Sequence, residues 1–256
     1  MENKLRGLRM ITNLHCNQQC NFCYQEKKTN DILPIPTLRK ELECYTRKYF
    51  EYCTIMGGEA SLLDNLCEYI SVGSFYSNEV RLTTNGVLLD RQRLEAYKSA
   101  GLTGINISIA SLEKYGEITG NKLETKEIIK TIELSRFYFP NLRINIALCK
   151  ENMEGEIKRL VERFVYQMQL NITLCESINA EYSCLQNPKE LLDSQIVEDT
   201  GYGLIFLEHR GLRYGYYSHK DNYKHTDLVV SPLGTWTNWD GYCHAVGIRK
   251  TNGSVD

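Results

Sequence analysis

Apolar positions along the chain follow two alternating periods. Short apolar or β-branched runs at strand spacing are followed by stretches whose apolar residues recur every three or four positions. Leu8 to Leu14 reads as a strand. Thr37 to Phe50 places Leu38, Leu42, Tyr45 and Tyr49 on one helical face, with Thr37 as N-cap after Pro36. Tyr52 to Met56 is a strand ending in two glycines, and Leu62 to Val72 a helix. Val80 to Thr83 is a strand ending at Asn85-Gly86; Asp90 caps a helix running to Ser99, which Gly101 closes. Gly104 to Ile109, Leu142 to Leu148 and Asn171 to Leu174 are strands, and Lys126 to Phe139 and Glu156 to Met168 helices.

Six strands alternating with five helices predict an α/β fold, a parallel sheet with helices packed outside. Right-handed crossovers curl such a series toward a barrel. In folds of this kind functional loops follow the C-terminal ends of the strands. After about residue 176 the pattern changes. Asn187-Pro188 starts a helix to about Glu198, followed by β-rich pieces at Leu204 to Glu208, Leu212 to Ser218 and Asp227 to Val230. Trp236 and Trp239 come next, in a loop. The expected division is a core over 1–176 and a C-terminal α+β cap over 177–256.

Composition narrows the functional classes. Net charge is −2 and no basic run occurs, which argues against nucleic-acid binding. No stretch approaches the roughly twenty apolar residues of a membrane span, and Met1 to Arg9 has no secretory apolar core. The ten cysteines then read as reduced thiols of a cytoplasmic protein rather than as a disulfide framework.

Three of those thiols stand together. Cys16, Cys20 and Cys23 form C-x3-C-x2-C in the loop after the first strand. Soft thiolates select zinc or iron–sulfur. Structural zinc takes four ligands, commonly as two separated pairs, and no second C-x2-C pair exists in the chain. A four-iron cluster held by three thiolates leaves one iron open for a ligand. A zinc knuckle or a redox C-x2-C remains the alternative, which would make the protein a zinc-stabilised binding module.

The loop, with Phe22 as the aromatic residue before the third cysteine, resembles the cluster loop of the radical S-adenosylmethionine (SAM) superfamily. Met56-Gly57-Gly58-Glu59 is similar to that family's GGE motif, Thr83-Thr84-Asn85-Gly86 to its third-strand end and Asn106 to Ile109 to its fourth strand. The motifs come in family order over about two thirds of the chain. The resemblance implies a partial (β/α)6 TIM-like barrel, which the strand count matches. It implies a [4Fe–4S] cluster on Cys16, Cys20 and Cys23, and SAM chelating the fourth iron through its amine and carboxylate. One electron, from a partner such as flavodoxin or ferredoxin, then cleaves SAM to a 5′-deoxyadenosyl radical that abstracts hydrogen from a substrate.

The remaining expectations follow residue by residue. Gly57 and Gly58 let backbone approach the methionyl group, and Glu59 accepts from its ammonium. Phe22 packs by the adenine, Thr83 faces the barrel interior near the adenosine, and Asn85 binds there or only forms the turn. Ser108 matches the serine of an S-x-D pattern in relatives of the molybdenum-cofactor GTP cyclase, but Ala110 stands where the pattern has Asp. Lys150 resembles a basic residue near the cofactor in the same relatives. Cys149 and Cys175 end strands and are placed to line the mouth, while Cys243 is a candidate hydrogen donor on a loop covering it. A small polar substrate of amino-acid, nucleotide or sugar type is expected, with a peptide as the second choice.

Overall fold

The computed structural model describes residues 5–25, 28–121, 124–149, 152, 155–176, 192, 194–200, 204–217, 226–239 and 242–243. Six parallel strands carry the core: β1 (Gly7–Ile11), β2 (Phe50–Met56), β3 (Ser77–Thr84), β4 (Gly104–Ser108), β5 (Arg143–Leu148) and β6 (Asn171–Glu176). Helices α1 (Ile35–Leu42), α2 (Leu66–Tyr76), α3 (Arg91–Ser99), α5 (Thr125–Tyr138) and α6 (Glu156–Val161) supply the crossovers. A five-residue helix, α4 (Tyr115–Thr119), lies between β4 and α5.

Each strand has one apolar and one polar face. Leu8, Met10, Cys53, Ile55, Leu82, Ile105, Ile107, Ile144, Ile146, Ile172 and Leu174 are buried in one continuous core. The alternate residues, among them Arg9, Thr83, Ser108, Asn145 and Cys175, line a cavity on the other face. Helices bury the first face, and the sheet's curvature encloses the second.

The C-terminal strands join the same sheet at both ends. β7 (Gln195–Asp199), β8 (Leu204–His209) and β9 (Leu212–Tyr217) form an antiparallel meander whose β9 pairs in parallel with β6. β10 (Asp227–Ser231) pairs in parallel with β1, and β11 (Gly234–Trp236) folds back on β10. The order is β11-β10-β1-β2-β3-β4-β5-β6-β9-β8-β7. β1 and β9 are thus six strands apart, about 29 Å in a flat sheet with strands about 4.8 Å apart. Yet the Arg9 guanidinium reaches the Tyr217 hydroxyl at 3.5 Å. Only a sheet curled into a partial barrel allows this.

Local departures from expectation have physical causes. The first helix occupies Ile35–Leu42, with Pro36 in the first turn where its missing N–H costs nothing. It stops before Tyr45 and Tyr49, which stack with Phe50 instead, while Lys48 takes φ 58°. Around Leu62 a single 3-10 turn (Ala60–Leu62) precedes α2. Gln195–Asp199 is strand, not the end of a helix, in keeping with its β-branched Ile196 and Val197. The start expected at Asn187 lies outside the described residues. Asp90 caps α3 as expected, accepting from the Arg93 N–H at 2.8 Å. Among the described residues no helix is long and apolar enough to cross a membrane.

Candidate active site

The cluster loop leaves β1 and is stitched to β2 at its stem. Gly58 N donates to Asn13 O and Glu59 N to His15 O, both at 2.8 Å, and the Asn13 amide donates to Glu59 O at 3.0 Å. The two glycines are required here by that stem. A Cβ on Gly58 would stand 2.5 Å from the His15 carbonyl carbon and closer still to its oxygen; one on Gly57 would stand 2.7 Å from Asn13 O. At both positions the space a side chain would fill belongs to the loop's own backbone and the Asn13 side chain.

α4 holds the loop from the other side. Gln19 N donates to Thr119 O at 2.8 Å, Asn21 N to Ile118 O at 3.1 Å, and the Gln18 amide to the Tyr115 hydroxyl at 2.8 Å. Cys16, Cys20 and Cys23 line one cavity of about 290 Å³. Burial raises the Cys16 thiol above its ordinary value and takes Cys20 to about 12, with the neighbouring thiols adding to the shift. A bound metal centre would reverse this shift, because its charge deprotonates a coordinating thiol.

Among the described residues no three His, Cys, Asp or Glu groups stand together as ligands of one metal ion. Thiolates sharing one zinc, at about 2.3 Å each, would have to converge. Three soft sulfur donors lining one cavity are the donor set an iron–sulfur cluster takes.

The motif residues expected from the sequence share that cavity: Phe22, Gly57, Gly58, Glu59, Thr83, Asn85 and Ser108 all line it. Glu59 is 2% exposed and firmly held. Its Oε1 accepts from Ser61 N at 3.0 Å and Thr84 Oγ1 at 2.7 Å, and its Oε2 from Asn85 N at 2.7 Å. Asn85 also forms the turn, accepting from Val87 N at 3.0 Å, with Gly86 at φ 77°. Phe22 packs against Ala110, Ile118 and Cys149.

Where an Asp is missing at position 110, the adjoining loop is held from α6. Glu156 accepts from the Ser111 hydroxyl at 2.7 Å, from Leu112 N, and from Arg159 Nε at 2.8 Å. Burial opposes ionisation of Glu156, but these donors outweigh it and hold its carboxyl below the usual range. Asn152 ties the same wall together, donating to Ala110 O at 2.8 Å and Ala147 O at 2.6 Å.

Two thiol expectations are corrected. Cys149 is fully buried behind Ala110, whereas Cys175 does line the cavity. Cys243 is not on the cavity wall: it is buried with Ile11, Leu14, Val229, Trp239 and Tyr242. Its neighbours are apolar side chains that seat the chain after β11 against β1, so the segment packs as core there. Lys150 lies outside the described residues.

The sequence did not single out Arg9 or Tyr217 on this wall, whereas Trp239, expected on a loop over the mouth, does line it. Arg9 Nε pairs with Asp227 Oδ2 at 2.5 Å, Tyr52 donates to Asp227 Oδ1 at 2.5 Å, and Trp239 lies against the guanidinium with its ring 5.1 Å away. Burial pulls the Arg9 pKa down, but Asp227, Tyr217 and Tyr52 more than offset it and keep the group charged.

A partial α/β barrel whose cysteine loop, glycine-rich strand end and third- and fourth-strand ends meet in one cavity defines the class of protein. The model of the radical SAM superfamily matches residues 10–164, and the chain belongs to that superfamily of enzymes. The family uses a [4Fe–4S] cluster and SAM. The chain is 29% identical over 216 residues to the GTP 3′,8-cyclase of Aquifex aeolicus (strain VF5), covering 78% of this chain and 67% of that protein. It is 28% identical over 209 residues to the probable GTP 3′,8-cyclase of Pyrococcus horikoshii, covering 80% and 64%. The chain thus spans about two thirds or less of the length of these relatives. Among solved structures, Streptococcus suis SuiB bound to the precursor peptide SuiA matches with a TM-score of 0.57 at 17% identity, over 72% of this chain and 43% of that one. The anSMEcpe structure with bound AdoMet matches at 0.54 and 16%, over 71% and 54%. At these identities the structural likeness speaks for the fold.

Proposed function

We propose that the chain is a radical SAM enzyme acting on a small polar substrate of the nucleotide class. The single observation that carries the reading is that three thiols and the residues of three family motifs line one cavity. Cys16, Cys20 and Cys23 hold the cluster. Glu59 accepts from the SAM ammonium with lone pairs its three donors leave open, Phe22 packs on the adenine, and Thr83, Asn85 and Ser108 bind the ribose and carboxylate. When bound, the cluster and SAM supply a 5′-deoxyadenosyl radical. The chain's own part is placement and exclusion of water.

Arg9, Asn145, Cys175 and Tyr217 line the same cavity on β1, β5, β6 and β9. These residues form the substrate wall. The nucleotide class is favoured because the sequence relatives are GTP 3′,8-cyclases. Residues 1–176 act as the catalytic core and 177–256 as the substrate-covering part. Lys150 is carried into the cofactor site by resemblance alone. The setting is cytoplasmic, with a flavodoxin or ferredoxin as electron donor.

The test is anaerobic reconstitution followed by reduction with SAM and a panel of nucleosides, nucleotides, amino acids and peptides. We expect 5′-deoxyadenosine in every reaction and a new product mass with a member of the nucleotide class. Iron-loaded protein that never forms 5′-deoxyadenosine would refute the enzyme reading. A product from amino acids or peptides alone would refute the substrate class.

A further inference from the structure

The relatives' printed substrate is a triphosphate, whose several negative charges call for unengaged cationic donors. Among the described residues the cavity wall carries two cations, Arg9 and Lys28. Lys28 donates to the Gln18 carbonyl and so belongs to the cluster loop. Arg9 is the cation on the substrate wall, and it is engaged on three sides. Its Nε is paired with Asp227, its Nη2 lies 3.5 Å from the Tyr217 hydroxyl, and Trp239 covers it 5.1 Å away. Asp227 is itself 2% exposed, held by Tyr52 at 2.5 Å and wedged against Gly7, where no Cβ would fit. These contacts hold the carboxylate against the guanidinium.

A phosphate brought to Arg9 would meet a fixed, buried carboxylate beside it, and like charges in a poorly solvated site repel strongly. What the wall offers instead is hydrogen bonding without net charge. The paired guanidinium still has unshared N–H groups, and Thr83, Ser108, Asn145 and Tyr217 add hydroxyls and an amide. We infer that the part of the substrate meeting this wall is neutral, a hydroxylated sugar or the edge of a base, and that Asp227 excludes a polyphosphate from Arg9. The inference rests on the reading of this cavity as the substrate site.

The probe is inorganic tripolyphosphate, titrated calorimetrically into iron- and SAM-loaded protein under anaerobic conditions. Wild type should show no saturable binding at millimolar concentration. Asp227→Asn should bind at least tenfold more tightly than wild type, and Arg9→Gln combined with Asp227→Asn should abolish the gain. Saturable binding by wild type overturns the inference, as does an iron-loaded Asp227→Asn protein that still rejects the probe. If that variant fails to load iron, the wild-type titration decides alone. In the wild-type turnover assay, a triphosphate acting at tenfold lower concentration than its nucleoside would also overturn it. If no member of the nucleotide class is turned over while the tripolyphosphate results stand as expected, the nucleotide reading fails and the charge selection at Arg9 does not.

Discussion

Gly58→Ala places one methyl group where the stem of the cluster loop passes. The new Cβ would lie 2.5 Å from the His15 carbonyl carbon and closer still to its oxygen, against 3.4–4 Å for an ordinary contact, so the two segments must part by more than about 0.9 Å. That movement stretches Gly58 N to Asn13 O and Glu59 N to His15 O, now both 2.8 Å. Overpacking costs about 1–3 kcal/mol and each lost hydrogen bond about 1 kcal/mol. The sum, about 3–5 kcal/mol, lowers the melting temperature of a chain this size by about 10 °C. Because the displaced residue is next to Cys16, iron retained after anaerobic reconstitution should fall below half of wild type. Gly211→Ala is the control: nothing lies within 4 Å of its Cβ, and only its φ of 77° costs about 1 kcal/mol. Circular dichroism melts and iron determination on the three proteins decide the matter. A Gly58→Ala protein with wild-type melting temperature and full iron would refute the reasoning that the loop stem requires this glycine.

Other substitutions probe the remaining supports. Replacing Cys16, Cys20 and Cys23 together by Ala should leave reconstituted protein colourless and without bound iron; a retained cluster absorbance would remove these thiols from the centre. Glu59→Ala orphans Ser61 N, Thr84 Oγ1 and Asn85 N, costing at least about 3 kcal/mol, and should weaken SAM binding at least tenfold in equilibrium dialysis. Unchanged SAM affinity would place Glu59 outside the cofactor site. Trp239→Ala removes a buried ring 5.9 Å from Tyr24, the residue after Cys23, and should cost about 3–5 kcal/mol in chemical denaturation. Glu156 has a lowered pKa in the fold, so its stabilisation is complete above the unfolded value, about pH 4.3, and is lost as pH falls through the folded value. Glu156→Gln should therefore flatten the acid limb of the stability profile; an unchanged limb would assign the acid loss to other groups.

What could be read from the sequence was what depends on near neighbours. The cysteine spacing, the Gly57-Gly58 strand end and the Asp90 cap each act within a few residues, and the structure brings the cysteines and glycines to one cavity. Arg9 was hidden in an apolar run, because its meaning comes from Asp227, 218 residues further on. α4 was missed because five residues, Tyr-Gly-Glu-Ile-Thr, are too few to show a period. The end of α1 was misjudged because Tyr45 and Tyr49 fit a helical face as well as they fit the aromatic stack they join. Trp239 and Cys243 read as a loop covering the mouth, and nothing nearby in sequence shows that Ile11 and Leu14 supply their packing surface.

That distant pairing also orders events in time. β1 gains β2 early in synthesis, but its other edge waits for β10, and Arg9 waits for Asp227. Until the ribosome has passed residue 227, the strand that carries the cluster loop has one bare edge and a buried-type cation without its counter-charge. Contacts of such separation form late and slowly, and an unpaired strand edge is the part of a nascent chain most open to wrong partners. A ribosome stalled shortly before residue 227 therefore holds a chain with all three thiols and both glycines in place, yet with the wall behind them still missing. Chaperone demand and iron loading should both change over the short stretch in which β10 emerges.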